Sequence, residues 1–214
     1  MDVILGRVPA VVFGENSERR KLERVMRDVG RLPPGQSLTL KWPVLHVGDV
    51  PPFDPQHWMF RITGLVEQPI SLTWLEFSRL PQTTVVADMH CVTRWSQFDV
   101  RWEGILFSEV MKLLKLKQEA KYVTVTAEHG YTSNVPLADL ERPTTVFALK
   151  ENGEPLPPEH GYPVRLVVPH LYAWKSVKWV RGLEFLKEDA PGFWEQNGYH
   201  LYGDPFREQR FSAD

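Results

Sequence analysis

The sequence predicts an α+β domain of mixed β-sheets and short helices. Three observations carry this. Segments rich in β-branched and aromatic residues recur along all 214 residues. Eighteen prolines and fourteen glycines punctuate the chain, so helices are short and connections numerous. Strands and helices do not alternate strictly, which argues against a doubly wound parallel sheet. The length suits one domain, or two small ones, and folding removes roughly 70% of the unfolded chain's surface from water at this size.

The elements follow in order. A helix is predicted after Ser17, because Leu22, Val25, Met26 and Val29 fall at i, i+3, i+4 and i+7 and Gly30 can close it left-handed. Arg19, Arg20, Glu23, Arg24 and Arg27 make its solvated face. RLPPGQS reads as a linker, so residues 1–35 form a helical arm and 36–214 the main domain. Strands are predicted at 58–64, 83–89, 121–127, 145–150, 163–168 and 177–186. Thr73 and Glu76 have capping-box spacing before a short helix that Pro81 stops. A second helix from near Ser108 to Leu116 buries Val110, Met111 and Leu114. The residues following Cys91 show neither helical nor alternating pattern.

Composition narrows the function. A net charge of −2 excludes a basic nucleic-acid binder, and the many aromatic residues lack the basic groove of a stacking platform for single strands. One cysteine excludes a disulfide framework and a Cys-rich zinc module. No stretch approaches the ~20 apolar residues that span a bilayer. Residues 1–20 lack a basic segment ahead of an apolar core, so no export signal is read and a cytoplasmic protein is expected.

Cys91 lies where a strand gives way to a loop, a place that presents functional side chains. Three readings stand. It is a small buried hydrophobe, the usual fate of an isolated intracellular cysteine. It is a nucleophile, with His129 or His170 brought near by the fold. Or its thiolate is the one protein ligand to a metal whose other ligands come from a cofactor, which a soft sulfur suits. His90 adjoins it but points to the opposite face in extended chain. Arg94 could lower the thiol's pKa or bind an oxyanion, or simply pair at the surface.

The segment 159–180 carries the strongest signal. Arg165 sits inside the apolar run Val164, Leu166, Val167 and Val168, where a guanidinium is expensive unless an anion meets it. Lys175, Ser176 and Lys178 follow around a turn that can return to the strand's start, where His160 and Gly161 stand. Fork donor, ammonium groups, hydroxyl and turn N–H groups together suit a phosphate. The alternative is a buried arginine paired with an internal carboxylate.

With PVLHVGDVP at 43–51, ITGLV at 62–66, HCVTRWS at 90–96, WEGI at 102–105, PLPPEHGYPVRLVVP at 155–169 and KSVKWV at 175–180, the chain resembles the sulfite-oxidase-type molybdopterin oxidoreductases. It looks most like their small stand-alone prokaryotic members, over about 42–211. The resemblance implies that fold, a molybdenum–molybdopterin cofactor, and Cys91 as the molybdenum ligand. It implies that His160 and Arg165 hold the pterin and its phosphate, and that Ser176, Val177 and Lys178 wrap that phosphate with Lys175 beside them. His46 falls in a pterin-contacting segment, and Thr132 and Asn134 in a loop bordering the metal pocket. Arg94 is the candidate for substrate charge. Sulfite-oxidising members place basic residues soon after the cysteine, and exported sulfoxide-reducing members an acidic residue two after it, where this chain has Thr93. Neither substrate therefore carries over.

The expected function is molybdenum-dependent oxygen-atom transfer to or from a small oxyanion or sulfoxide. The partners are a small-molecule substrate and an external electron carrier, with no nucleic acid and no membrane insertion. A non-catalytic pterin carrier and a Cys91-dependent hydrolase are the competing readings.

Overall fold

The structure is a computed structural model, and it describes residues 10–39 and 41–213. The leader-free reading of residues 1–20 therefore falls partly outside the described residues, as does the start of the 1–35 arm. Helix α1, Ala10–Asp28, begins well before Ser17 because nothing between Pro9 and Ser17 breaks it. Gly30 follows with φ 73°. Leu22, Val25 and Val29 stay exposed, so this face buries little. Beyond the helix, Arg31 donates to Asp88 and Asp99 and ties the arm to the body.

The strands are β1 (Ser37–Leu38), β2 (Met59–Gly64), β3 (Ile70–Thr73), β4 (Gln82–His90), β5 (Trp95–Leu106) and β6 (Tyr122–Ala127). They continue as β7 (Thr132–Pro136), β8 (Val146–Glu151), β9 (Glu154–Pro155), β10 (Arg165–Val167) and β11 (Val180–Leu186). The short helices are α2 (Trp74–Ser78), α3 (Phe107–Met111), α4 (Leu137–Leu140) and α5 (Phe193–Gln196). One sheet runs β1-β5-β8-β10, with β4 on β5 and β9 on β8; the other runs β3-β2-β11-β6-β7. Both are mixed: β1 on β5 and β2 on β11 are parallel, the remaining pairs antiparallel. The predicted α+β class of mixed sheets with short helices is the observed one.

The capping box forms as read: Thr73 and Glu76 each satisfy the other's backbone N–H at the start of α2. Helix α3 is shorter than predicted, ending at Met111, so Leu114 packs from a turn.

Strand β5 is the longest of the strands the sequence hid, the others being β1, β3, β7 and β9. It is bent, with the β4 partner register shifting near Ala87 and the β8 partner register near Glu103, and Asp99 has φ 53°. Each bulge moves the buried residues out of step, which erases period-two alternation. At the second shift a Cβ on Gly104 would lie 2.0 Å from the Phe147 carbonyl oxygen, so only glycine lets β5 and β8 approach.

The larger core lies between the sheets, with Phe60, Val125, Leu183 and Phe185 facing Phe147, Leu166 and Val168. A smaller one, with Trp102, Ala148 and Val167, covers the other face of the first sheet. Strands buried on both faces read as continuous apolar runs, which is why an arginine inside β10 stands out.

Candidate functional site

The β4–β5 hairpin turns through Cys91, Val92, Thr93 and Arg94. The Cys91 amide donates to the Trp95 carbonyl at 2.8 Å, and the Arg94 amide to the Cys91 carbonyl at 3.0 Å. Gln36 and Arg210 brace the turn by donating to the carbonyls of Cys91 and Val92. The thiol faces a cavity of about 300 Å³. Thr93 Oγ1 donates to Cys91 Sγ at 3.1 Å. Burial pushes the Cys91 thiol pKa up, against the Thr93 hydrogen bonds and the more distant Lys178 and Arg210 charges.

Another part of the lining is cationic. Backbone bonds from Leu166 to Val177 and from Val180 to Val164 fold the 176–178 segment back along β10. Ser176 Oγ accepts from the Val168 amide at 2.9 Å. Arg165 is buried and donates to the carbonyls of His160, at 3.0 Å, and Ser176, at 3.1 Å. Its Nε has no hydrogen-bond partner among the described residues, and its guanidinium faces the Trp102 ring at 5.4 Å. Lys178 donates to the carbonyls of Leu45 and Glu159, at 2.8 and 2.7 Å.

Neither cation has a carboxylate within ion-pair distance among the described residues. Burial lowers Arg165 to about 10, and burial together with Arg165 lowers Lys178 to about 7. Two desolvated, unpaired cations and a buried N–H without a partner are what a site for an anion looks like.

The cavity thus gathers Cys91, His46, Arg165, Ser176, Val177 and Lys178. His46 is held by Gly48, with its Nδ1 2.8 Å from that carbonyl, and meets the Trp179 ring. His160 stands behind the wall: Nδ1 contacts Glu151 at 2.7 Å and its ring packs on Trp42, which lines the cavity.

Besides His160, four predicted residues lie outside the cavity lining. Lys175 is fully buried and points the other way, into Glu195 and Asn134. Asn134 is spent on Lys175, Asp189 and Leu201. Thr132 lies on β7 outside the lining; its neighbour Tyr131 is the residue of that segment that reaches the cavity. Arg94 is exposed and turned away, its Nη1 lying where Glu208 and Arg210 crowd Gly35. Nor do the proposed bases reach the thiol: His129 contacts the Asp49 carbonyl, and His170 contacts Asp139.

Sequence reasoning missed the aromatic wall. Tyr131, Trp174, Trp194 and Tyr199 line the cavity with Cys91. Trp194 stacks on Tyr199 at 4.8 Å, and Trp174 meets Tyr199 at 5.0 Å. Local pattern could not reveal this, because the rings come from three separate segments. Among the described residues, no cluster of three or more His, Cys, Asp or Glu could hold a metal, and no helix is long and apolar enough to cross a membrane.

The family model for the oxidoreductase molybdopterin binding domain matches residues 47–194. The chain is 48% identical over 186 residues to an uncharacterized oxidoreductase, YuiH, of Bacillus subtilis, covering 86% of this chain and 94% of that protein. It is 28% identical over 168 residues to the protein-methionine-sulfoxide reductase catalytic subunit MsrP of Campylobacter jejuni. That match covers 71% of this chain but only 56% of the reductase subunit, so the chain spans about half of that relative. Among solved structures, the sulfane dehydrogenase SoxCD of Paracoccus pantotrophus matches with a TM-score of 0.60 at 26% identity, over 66% of this chain and 41% of SoxCD.

Proposed function

The chain belongs to the oxidoreductase molybdopterin-binding domain family, and from that premise we propose that Cys91 is its molybdenum ligand and that it reduces a small neutral sulfoxide by oxygen-atom transfer. Molybdenum–molybdopterin is the cofactor, and once bound it supplies the two-electron redox change and the acceptor for the oxygen atom.

The residues present fit that group. Arg165, Lys178 and Ser176 would hold the pterin's phosphate, which would give the buried Arg165 Nε the acceptor it lacks among the described residues. The Cys91 sulfur, a soft donor lining the same cavity, would be the protein's contribution to the metal's coordination. Thr93 would tune that sulfur through its hydrogen bond. Tyr199 would orient the substrate oxygen: it lines the cavity, and burial together with the Cys91 charge pushes its pKa up, which keeps it a donor.

The observation that carries the substrate class is the aromatic part of the cavity lining that Cys91 shares. Its side chains there are Tyr131, Trp174, Trp194 and Tyr199, while Arg94 is turned out toward Glu208 and Arg210. Aromatic faces accept an uncharged, weakly polar molecule better than a dianion, which needs paired cations to offset its desolvation. The MsrP relative, named as a sulfoxide reductase, supports the same choice. The net reaction consumes one sulfoxide, two electrons and two protons and gives one sulfide and one water, with the electrons drawn from an external carrier.

The test uses protein made with a working cofactor pathway. Molybdenum and pterin should both be present near one per chain, and dimethyl sulfoxide should oxidise reduced methyl viologen. Sulfite oxidation without sulfoxide reduction would overturn the substrate class. Cys91→Ala should retain pterin and lose turnover; full turnover in that variant would overturn the ligand role.

A further inference from the structure

Lys175 and Asn134 face away from the cavity, and their surroundings give them a different task. The Lys175 ammonium, wholly buried, donates to the Asn134 carbonyl at 2.8 Å, the Asn134 side-chain oxygen at 2.8 Å and the Leu201 carbonyl at 2.7 Å. It also meets Glu195 Oε1 at 2.6 Å. That same oxygen accepts from the Trp174 indole at 2.7 Å. Asn134 Nδ2 donates to Asp189 at 2.8 Å, and Tyr131 donates to the Trp174 carbonyl at 2.9 Å.

One ammonium therefore joins β7, the 173–175 turn, α5 and the bend at Leu201. These pieces carry Tyr131, Trp174, Trp194 and Tyr199, the rings that wall the cavity beside Cys91. A buried ion pair adds little net stability, because desolvating two charges offsets their attraction. Such a pair does restrict its neighbours, since every group in it has few other partners. Both Lys175 and Glu195 lie behind the wall and reach no cavity surface, so they act only through the rings they hold.

We propose that Lys175 and Glu195 are positioning residues that hold Trp174, Trp194 and Tyr199 in the lining of the cavity that Cys91 also faces, with Tyr199 near enough to feel the Cys91 charge, and so control access to the sulfur. The kinetic arm of the test rests on the sulfoxide reading; the thiol arm does not.

The variant is Lys175→Met with Glu195→Leu, which removes both charges together and leaves neither alone in the core. In cofactor-free protein, iodoacetamide should alkylate Cys91, the chain's one thiol, about tenfold faster than in the parent, as a wall that opens locally more often allows. Its melting temperature should stay close to the parent's, which a merely structural role would not permit. In loaded protein, KM for dimethyl sulfoxide should rise about tenfold while kcat falls far less and pterin content is unchanged. Parental alkylation rates in the folded double variant would overturn the proposal, whether or not the parent reduces sulfoxide. If the double variant does not fold, Glu195→Gln is read the same way: it keeps an acceptor for Trp174 and removes the charge, and an unchanged alkylation rate overturns the proposal.

Discussion

The β-carbons of Arg165 and Lys178 flank Gly161 so closely that a methyl placed on that glycine would come within 3.0 Å of one and 3.1 Å of the other. Two basic groups are thus held together in the cavity lining, each bonded among the described residues to backbone carbonyls rather than to a carboxylate. This pairing, more than any single contact, states what the site is built to receive.

The first prediction concerns pH and the cofactor-free protein. Lys178 is lowered from 10.5 to about 7 by burial and by Arg165, against weaker pulls from Cys91, Glu159 and Glu151. Between those values the unfolded chain binds the proton that the folded chain has lost, so stability rises as pH rises. Cys91 works in the opposite sense at higher pH, because its raised pKa makes the folded form hold a proton the unfolded form releases. The window to read is therefore about pH 7 to 8.5, below the ordinary thiol pKa. Melting temperature should climb across it in the parent, stay flat in Lys178→Met, and stay flat in pterin-loaded protein, where the phosphate restores the lysine's charge.

Arg165→Met separates anion binding from folding. The guanidinium is buried with an unpartnered Nε, so a methionine of similar length removes a desolvation cost along with two hydrogen bonds to carbonyls. Melting temperature without cofactor should hold or rise. Pterin recovered with the purified protein should fall about tenfold or more, the loss of one charge-assisted bond of roughly 1.5–3 kcal/mol. A parallel loss of stability and pterin would assign Arg165 to the core instead.

How far the sequence revealed all this depended on whether the signal was local. Arg165 was legible because a charge within an apolar strand is anomalous in its own five residues. The Thr73–Glu76 box was legible because both partners lie within one turn. Strand β5 was not, since its register shifts break the alternation that marks a strand. Lys175 was assigned to the phosphate by its closeness to Ser176 and Lys178 in sequence. Its side chain goes the other way because Asn134, Glu195 and Leu201, all distant in the chain, supply the acceptors a buried ammonium needs.

Thr93→Val tests the sulfur's surroundings. The hydroxyl donates to Cys91 Sγ at 3.1 Å and withdraws charge from it. Valine keeps the shape and removes the donor, so the sulfur becomes the stronger donor to a metal it ligates. The midpoint potential of the loaded enzyme, read by redox titration, should move to more negative values with pterin content unchanged. No movement would mean the hydroxyl turns elsewhere once the site is filled.

Arg94→Ala decides between substrate classes. The side chain is exposed, lies outside the cavity lining and shares its space with Glu208 and Arg210. Its removal should leave KM for dimethyl sulfoxide within about twofold, since no binding interaction is lost. A KM rise above about tenfold would bring the arginine to the substrate and restore the oxyanion reading.

Gly161→Ala returns to the pair of cations. Gly161 has φ 118°, a backbone conformation that residues with a Cβ avoid. Its new methyl would also press on the β-carbons of Arg165 and Lys178, near 3 Å, and neither can yield by rotating a side chain, because a β-carbon moves only with its backbone. The strain should therefore spread the two cations apart. Pterin retention should drop while Cys91, on the separate β4–β5 turn, keeps its parental alkylation rate in cofactor-free protein. Equal loss of both would mean the whole cavity collapses, and retention at the parental level would mean that the phosphate does not depend on how closely these two residues approach.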